Sequence, residues 1–332
     1  MTDVIVGIDG GGSKTLVAAA GLDGELQMLV RGRATSPLEA EDWPVALAEQ
    51  ARPFAGLAGL RAAAAALPAY GEVERVSEAQ RRLVAELFTA VPQRVLNDVD
   101  AAHLGAFAGG PGILVLSGTG SMAWARDANG VSYRTGGWGE VVGDEGSGYW
   151  IGKQILGAVS QSLDGRAKPT ALTEALFAQL GLDGGNAVSE LEGWASRLDR
   201  QRTRIAALAP LAGRLADAGD DAATRIIGAA ASELARHVRT LERRLAPATL
   251  AWSYAGGGFA APALRRALIA QIGREPQPPR LPPIGGALLA AAQHLDRPVG
   301  RDWIERLARS LETAEPSTTE GNQLIRKETG NA

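Results

Sequence analysis

Two glycine-rich turns, each directly following a short apolar run, constrain this chain more than any other feature of its sequence. The β-branched run 4–8 predicts a buried strand and leads into the turn Asp9-Gly10-Gly11-Gly12-Ser13-Lys14. The run 112–116 predicts a second strand and leads into Ser117-Gly118-Thr119-Gly120-Ser121. Each turn is followed by another apolar run and then by an Asp-Gly or Asn-Gly hairpin signal. The repeated layout predicts two α/β domains, each opening with an antiparallel meander.

The bulk composition fits a two-domain globular protein and narrows the classes of function. The chain has 332 residues, 45% hydrophobic and 21% charged, which is enough for two separate cores. Its net charge of −3 disfavours nucleic acids and anionic membranes as partners. The absence of cysteine excludes disulfides, cysteine-ligated zinc and iron–sulfur clusters. With no basic leader and no apolar segment long enough to span a bilayer, the sequence predicts a cytoplasmic protein.

Local patterns predict several helices and leave one segment ambiguous. Residues 42–51 are predicted to be helical, and Ser77-Glu78-Ala79-Gln80 has the form of a capping box that opens a helix ending near Phe88. The alanine-rich run 61–67 is ambiguous, because alanine favours helix while the position suits a strand. Residues 168–245 predict a long, mainly helical region.

The same layout predicts where the domains divide. We expect an N-terminal domain over residues 1–110 and a C-terminal domain with a helical insertion over residues 111–297. A helix at about 298–313 is expected to pack back on the first domain. The polar, turn-rich tail 315–332 is expected to be disordered.

Both glycine turns have the composition of phosphate-binding loops. Consecutive glycines such as Gly10, Gly11 and Gly12 let backbone N–H groups converge on an anion. The first turn differs from a Walker A motif, because Ser13 precedes Lys14 where that motif has glycine and because a strand follows in place of a helix. A single turn of this kind is also compatible with a plain hairpin. Two such turns at matching positions of the two domains predict a pair of loops that bind one polyphosphate.

Asp98 is the candidate catalytic base. It follows the short apolar strand predicted at 94–97, at the strand end where α/β sheets present catalytic groups. Phosphoryl transfer to a hydroxyl needs an acceptor for the hydroxyl proton, and a carboxylate within hydrogen-bond reach can serve. Asp100 lies two residues further on, and for either residue a helix N-cap is the alternative interpretation.

The segment 136–150 combines glycine, acid and tryptophan at a density that does not suit a packed core. Carboxylates such as Asp144 and Glu145 can hydrogen-bond ring hydroxyls, and Trp138 can stack on the apolar face of a polyhydroxylated ligand. An ordinary surface loop is the alternative interpretation. We favour a ligand-binding loop, because loops carry function more often than the elements they join.

In their order along the chain these motifs resemble the BadF/BadG/BcrA/BcrD-type ATPase family, and within it the branch of N-acetylglucosamine and glucosamine kinases. The resemblance covers about residues 3–295 and is carried by five segments: 6–15, Asn97-Asp98, 117–121, 137–152 and 255–258. It implies an α/β fold of two ribonuclease H-like (actin-like ATPase) domains facing a central cleft that holds ATP and sugar. It also implies transfer of the γ-phosphoryl group of ATP to the 6-hydroxyl of N-acetylglucosamine or glucosamine.

The resemblance also implies roles for individual residues. Asp9 would hold Mg²⁺, Asp98 would be the general base, and the run 61–67 would be a strand. The implied nucleotide-binding residues are Gly10, Gly11, Gly12, Ser13, Lys14, Thr15, Gly118, Thr119, Gly120, Gly256, Gly257 and Gly258. The implied sugar-binding residues are Asn97, Asp98, Gly137, Trp138, Asp144 and Glu145. Sugar and ATP are the expected partners, and a homodimer is left open.

Three departures from relatives bear on which sugar is bound. The segment 31–37 lacks an asparagine that some relatives use to recognise the acetamido group, Met122 stands where some have asparagine, and Glu140 stands where many have histidine. These departures leave a glucosamine kinase or another hexose kinase open.

Two other classes of function compete with the kinase interpretation. Activator ATPases of the same family depend on cysteine-ligated iron–sulfur clusters, which a chain without cysteine does not have. A non-catalytic sugar- and nucleotide-binding regulator would not need the base at Asp98. The histidines have no metal-ligand spacing and are predicted to be structural: His103, His237 and His294.

Overall fold

The computed structural model describes residues 2–37, 40–199, 201–246, 250–295 and 299–318. The strands are, in chain order, β1 (Val4–Gly10), β2 (Thr15–Gly21), β3 (Leu26–Gly32), β4 (Leu60–Leu67), β5 (Gln93–Asn97), β6 (Gly112–Ser117), β7 (Ser121–Arg126), β8 (Ser132–Gly136), β9 (Trp252–Ala255) and β10 (Ser317–Thr318). The helices are α1 (Trp43–Ala55), α2 (Glu74–Leu87), α3 (Asp98–Phe107), α4 (Gly148–Leu163), α5 (Ala171–Leu180), α6 (Ala187–Ser196), α7 (Gln201–Ala206), α8 (Ala209–Asp217), α9 (Asp221–Leu245), α10 (Pro262–Ile272), α11 (Pro283–Gln293) and α12 (Arg301–Thr313). A short 3-10 helix spans Gly257–Ala260.

The chain divides into two compact units. Unit 1 is Met1–Ala101 together with Ala287–Ala332, and unit 2 is Ala102–Gly286. The sequence placed the boundaries after residues 110 and 297. The divisions fall earlier in both cases, because α3 and α11 each contribute residues to both units.

Unit 1 is built on a sheet with the strand order β10-β3-β2-β1-β4-β5. β1 is antiparallel to β2 and parallel to β4, and β4 is parallel to β5. The ambiguous alanine run is therefore a strand, buried from Ala62 to Leu67. Val6 and Ile8 pack into a core that includes Phe54 of α1. Gly7 of β1 packs closely against α11. A Cβ added at Gly7 would lie 2.8 Å from the backbone nitrogen of Leu288.

The parallel strands of unit 1 bring three candidate residues to one edge of its sheet. Asp9 lies near the end of β1, opposite Ala66 of β4. Asn97 ends β5 opposite Leu67 of β4, and Asp98 follows it as the first residue of α3. Because parallel strands present their carboxyl ends at the same edge, the fold collects Asp9, Asn97 and Asp98 there.

Unit 2 repeats the central pattern of unit 1. Its sheet has the order β8-β7-β6-β9, with β6 antiparallel to β7 and parallel to β9, which corresponds to β3-β2-β1-β4. The 25-residue helix α9 buries an apolar face that includes Leu234 and Val238. Ile151 and Ile155 of α4 enter the same core. No helix within the described ranges is long and apolar enough to cross a membrane.

Helix α2 begins earlier than its predicted capping box. The helix begins at Glu74, so Ser77 lies within its first turn and does not cap it. The Ser77 hydroxyl donates to the Val73 carbonyl (3.0 Å) and accepts from the Gly71 N–H (2.9 Å). These local bonds use the oxygen that a capping box would have used.

The C-terminal segment is more ordered than its composition predicts. In α12, Trp303 lies against Gly24 of unit 1, and Arg306 pairs with Asp23 at 3.4 Å. Within the tail 315–332 that was predicted to be disordered, Ser317–Thr318 pairs in parallel with Val30 and Arg31 of β3. The exposed edge of β3 offers unpaired backbone groups, which explains this pairing. Residues 319–332 lie outside the described residues.

Candidate active site

The first glycine turn closes the β1–β2 hairpin. Gly10 pairs with Thr15, and Asp9 precedes Gly10 in β1. Thr35 braces this turn, because its backbone N–H donates to the Gly11 carbonyl (3.2 Å) and its hydroxyl lies 2.9 Å from that of Thr15. Both threonine side chains are fully buried. Thr15 therefore holds the shape of the turn with its hydroxyl.

The rest of the predicted nucleotide residues in unit 1 form the tip of this turn. Gly12 is half-buried, whereas Ser13 and Lys14 are exposed. Lys14 lies close enough to Asp9 for its positive charge to favour the ionised carboxylate. The exposed tip is a place where a polyphosphate can reach both backbone N–H groups and a cation.

Asp98 is held at the start of α3 by a small hydrogen-bond network. The backbone N–H of Val99 donates both to the Asp98 carboxylate oxygen Oδ1 at 2.9 Å and to the Asn97 amide oxygen Oδ1 at 2.9 Å. The Asn97 amide in turn donates to the Tyr70 carbonyl at 2.9 Å and to Glu72 Oε1 at 3.3 Å. Asn97 therefore shares the Val99 donor with Asp98 and links this donor to Tyr70 and Glu72.

The two aspartates share an environment that disfavours charge. Desolvation, reinforced by the charge of Asp98 and opposed by Lys14, raises the pKa of Asp9 to about 7. Desolvation also raises the pKa of Asp98 to about 6, with the hydrogen bond from Val99 opposing the shift and the charge of Glu72 adding to it. Perturbed carboxylates at a sheet edge are a common property of functional sites.

The donor set in unit 1 fits magnesium held together with phosphate. No group of three or more His, Cys, Asp or Glu side chains in the described part of the chain could hold a metal on its own. In phosphoryl-transfer sites Mg²⁺ keeps several waters and binds through one or two carboxylates plus the substrate's phosphates. Asp9, desolvated and near the charge of Asp98, would be stabilised by such a cation.

The second glycine turn is fixed by the N-terminus of α4. The Gly148 N–H donates to the Gly118 carbonyl at 2.8 Å, and the Tyr149 N–H donates to the Thr119 carbonyl at 3.3 Å. The backbone N–H groups of Thr119 and Gly120 donate to no described residue. Two unused donors on neighbouring residues leave the turn able to accept an anion.

The third glycine segment packs directly on this turn. Gly256 has φ of 101°, which is open to glycine alone, and an added Cβ would collide with the Ser117 carbonyl. A Cβ on Gly258 would lie 2.5 Å from Ser117 Oγ, whereas one on Gly257 would meet nothing within 4 Å. Unit 2 therefore brings together the predicted nucleotide residues around Gly118 and those around Gly256.

Asp144, from the predicted sugar loop, is buried and already paired. It is 2% exposed and has φ of 64°, a conformation uncommon outside glycine. Its Oδ1 accepts from the Ser121 N–H at 3.2 Å, and its Oδ2 accepts from Arg202 at 2.6 Å. Arg202 also pairs with Glu140 at 3.2 Å. Asp144 thus joins the loop to the second glycine turn.

Trp138 and Gly137 occupy the outer part of the loop. The Gly137 N–H donates to the Ser121 carbonyl at 3.0 Å, and the Met122 side chain lies against Gly137. Trp138 is 67% exposed, with the Arg134 guanidinium 5.5 Å from its ring centroid. An exposed aromatic face beside a glycine backbone is available to stack on a ring.

Glu145 of the same loop lies near His237 of α9. The half-buried Glu145 carboxylate makes no hydrogen bond or ion pair within the described ranges. Burial lowers the pKa of His237, while the charge of Glu145 raises it by a smaller amount. His237 Nε2 is buried with no hydrogen-bond partner in the described part of the chain, and its ring lies against Gly136. Glu145 is therefore the carboxylate of this loop that remains available.

The sequence missed residues whose roles depend on distant contacts. Thr35 comes from the loop after β3, and Arg202 comes from α7 in the helical insertion, 58 residues from Asp144. Glu72 reaches the Asp98 network from the loop before α2. Each of the three acts through contacts with residues far away in the sequence, so no local pattern indicated any of them.

Comparison with known proteins identifies the family. The sequence profile of the BadF/BadG/BcrA/BcrD ATPase family matches residues 6–291. The chain belongs to this family. The predicted family is therefore confirmed, and the motif segments of both units lie within the match.

The most informative relatives carry sugar kinase names. The chain is 29% identical over 243 residues to the N-acetylmuramic acid/N-acetylglucosamine kinase of Clostridium acetobutylicum, a match covering 71% of this chain and 78% of that protein. It is 35% identical over 135 residues to the N-acetyl-D-glucosamine kinase of Dictyostelium discoideum, covering 40% of this chain and 41% of that protein. A crystal structure of a protein provisionally named N-acetylglucosamine kinase, from Chromobacterium violaceum, aligns with a TM-score of 0.68 at 27% identity over 87% of this chain and 98% of its own. The predicted fold class is confirmed.

Proposed function

We propose that this family member is an ATP-dependent amino-sugar kinase that transfers a phosphoryl group to the 6-hydroxyl of N-acetylglucosamine or glucosamine. The observation that carries the proposal is the placement of Asp98 beside Asp9 and the first glycine turn, at one edge of the unit 1 sheet. A carboxylate there can accept the hydroxyl proton as the phosphoryl group is transferred. The names of the relatives support the choice of an amino sugar.

The nucleotide would be bound by glycine backbone in both units. In unit 1 the turn Gly10–Gly12, with Thr15 as its brace, would contact phosphate, and Asp9 would hold Mg²⁺. The metal would supply positive charge to the phosphoryl oxygens as negative charge develops on them. In unit 2 the N–H groups of Thr119 and Gly120, which donate to no described residue, would bind phosphate, with Gly256–Gly258 against the adenosine.

The sugar would be recognised through the loop from Gly137 to Glu145. Trp138 offers an exposed ring for stacking, and Glu145 offers a carboxylate that pairs with no described residue. Asp144 is paired with Arg202, so its charge is compensated before any ligand binds. This compensation favours a neutral N-acetylated sugar over a protonated amine at Asp144, and it supports N-acetylglucosamine as the first substrate to test.

The test is a substrate panel in a coupled assay of ADP release. We expect kcat/KM to be highest for N-acetylglucosamine or glucosamine, lower for N-acetylmannosamine and N-acetylmuramic acid, and lowest for glucose. A missing hydrogen bond typically costs about 0.5–1.5 kcal/mol when water can replace it, so the two amino sugars should differ by about tenfold or less. Glucose winning by about tenfold would refute the amino-sugar assignment, and no stimulation by any sugar would refute the kinase.

A further inference from the structure

Arg202 occupies a position that no predicted role accounts for. It belongs to the short helix α7 of the helical insertion, yet an added Cβ on Gly120 would lie 2.6 Å from its guanidinium. The guanidinium is 2.6 Å from Asp144 Oδ2 and 3.2 Å from Glu140 Oε2. The insertion therefore delivers a cation directly to the second glycine turn.

The two carboxylates orient Arg202 without using all of its donors. Arg202 has five N–H donors, and among the described residues its one side-chain hydrogen bond is to Asp144. Its Nε–H is buried with no hydrogen-bond partner in the described ranges, although Nε lies within ion-pair distance of Glu140. The side chain is 25% exposed, so it is not closed off from solvent or a ligand.

We propose that Arg202 is a phosphate-binding residue of the second glycine turn, held in position by Asp144 and Glu140. This inference rests on the proposed use of ATP and identifies a protein cation that meets its polyphosphate in unit 2. The N–H groups of Thr119 and Gly120, which have no acceptor among the described residues, lie in the same turn that Arg202 contacts. A planar guanidinium and converging amides are a common combination for binding phosphate oxygens.

The chemistry favours a phosphate-binding role for Arg202 over the role of a purely structural ion-pair partner of Asp144. A pair that only neutralised Asp144 could be made by one donor, whereas Arg202 also has an Nε–H that is buried without a hydrogen-bond partner in the described residues, and its Nη2 lies beside Gly120 of the turn. Because carboxylates fix the plane of the guanidinium in advance, less side-chain entropy is lost when it binds an anion. The expected ligand is therefore the di- or triphosphate group of a nucleotide. Binding of adenosine, which has no phosphate, should not depend on Arg202.

The first experiment measures nucleotide binding by calorimetry, without sugar, for the wild type and Arg202→Gln. We expect the Kd for ATP to rise about tenfold to a hundredfold, the range for losing a charged hydrogen bond, while the Kd for adenosine stays within about twofold. Arg204→Gln is the matched control, because Arg204 lies on the same helix and pairs with the exposed Asp199. Equal losses for ATP and adenosine, or an unchanged Kd for ATP, would overturn the proposal.

A double variant separates phosphate binding from structural support of Asp144. Asp144→Asn/Arg202→Gln removes the buried charge that Arg202→Gln alone leaves unpaired, so folding should recover, as followed by the Tm. If Arg202 binds phosphate, ATP binding stays weak in the double variant. If ATP binding returns with the Tm, Arg202 acts only as support for Asp144 and the proposal fails.

Titration with ATP and the assay of ADP release test the role of Arg202 and the proposed kinase function separately. A wild type that binds ATP but releases no ADP with any sugar would refute the kinase, while the effect of Arg202→Gln on ATP binding would still decide the role of Arg202. A wild type that phosphorylates a sugar, with ATP binding unchanged by Arg202→Gln, would refute the role of Arg202 alone.

Discussion

At Asp144 the partners of a single carboxylate change what its charge can recognise. An unpaired Asp144 carboxylate would attract the protonated amine of glucosamine, which is one reason to consider glucosamine as a substrate. The ion pair with Arg202 and the bond from the Ser121 N–H compensate the charge of Asp144. Glu145 makes no such pair within the described residues, so recognition of a ring hydroxyl or an amine would fall to it.

The residue with the sharpest expected effect is Asp98. Replacing it with asparagine keeps its size and removes its capacity to accept a proton, so kcat should fall by at least about two orders of magnitude. Binding of ATP should change little, because the base acts on the sugar hydroxyl. Initial rates in the ADP-release assay, with calorimetry of ATP binding, measure both quantities.

Asp100→Asn is the matched control for Asp98→Asn. Asp100 lies two residues further along α3, so both variants alter the charge of the same helix turn. We expect Asp100→Asn to be mild. Equal losses in the two variants, or a loss in Asp100→Asn alone, would show that Asp98 is not the general base.

Among the elements, the turn from β9 into the 3-10 helix depends on a single backbone conformation. Gly256→Ala would place a Cβ against the Ser117 carbonyl and impose φ of 101° on alanine. Such a conformation costs about 1–3 kcal/mol before any collision is counted. We expect a lower Tm and a KM for ATP raised at least about tenfold, measured by thermal melts and steady-state kinetics.

Gly257→Ala provides the comparison for Gly256→Ala. An added Cβ at Gly257 meets nothing within 4 Å, and its φ is not in the left-handed region. Its Tm and KM for ATP should stay close to the wild-type values. Similar losses in both variants would mean that the segment is sensitive to any side chain, and that Ser117 has no special part.

The elements that could be predicted from the sequence are those with a local signal. The runs before both glycine turns became β1 and β6, and the matching hairpins gave two sheets with the same central order. The capping-box prediction was wrong, because Ser77 bonds locally to Val73 and Gly71. Contacts such as Arg202 with Asp144 join residues far apart in sequence, so no local pattern could have predicted them.

At the scale of the whole molecule, the two units share a central strand order but contribute different parts of the proposed chemistry. Unit 1 holds the carboxylates Asp9 and Asp98 at the carboxyl edge of its sheet. Unit 2 holds Arg202 and the glycine segments around Gly118 and Gly256. The sequence predicted which motifs belong to each unit. It did not predict that α3 and α11 each contribute residues to both units, because that division depends on packing between segments far apart in sequence.

Concentrating desolvated carboxylates in unit 1 should make the stability of the protein depend on pH. The pKa of Asp9 is raised from 3.8 to about 7, so the folded state binds this proton more tightly than the unfolded chain does. Its contribution to the free energy of unfolding is therefore complete below about pH 4 and is lost as the pH rises through about 7. Asparagine at position 9 does not titrate, so Asp9→Asn should gain stability relative to the wild type across this window.

Differential scanning calorimetry of both proteins from pH 4.5 to about pH 8 measures the effect, in chelator and in Mg²⁺ with ADP. The difference in Tm between Asp9→Asn and the wild type should grow as the pH rises. Above pH 7, Mg²⁺ should raise the Tm of the wild type by more than that of Asp9→Asn, because a cation bound to the folded state stabilises the ionised Asp9 carboxylate. A difference that stays constant across the pH range would contradict the desolvation of Asp9, and equal responses to Mg²⁺ would contradict its role as the metal-holding residue.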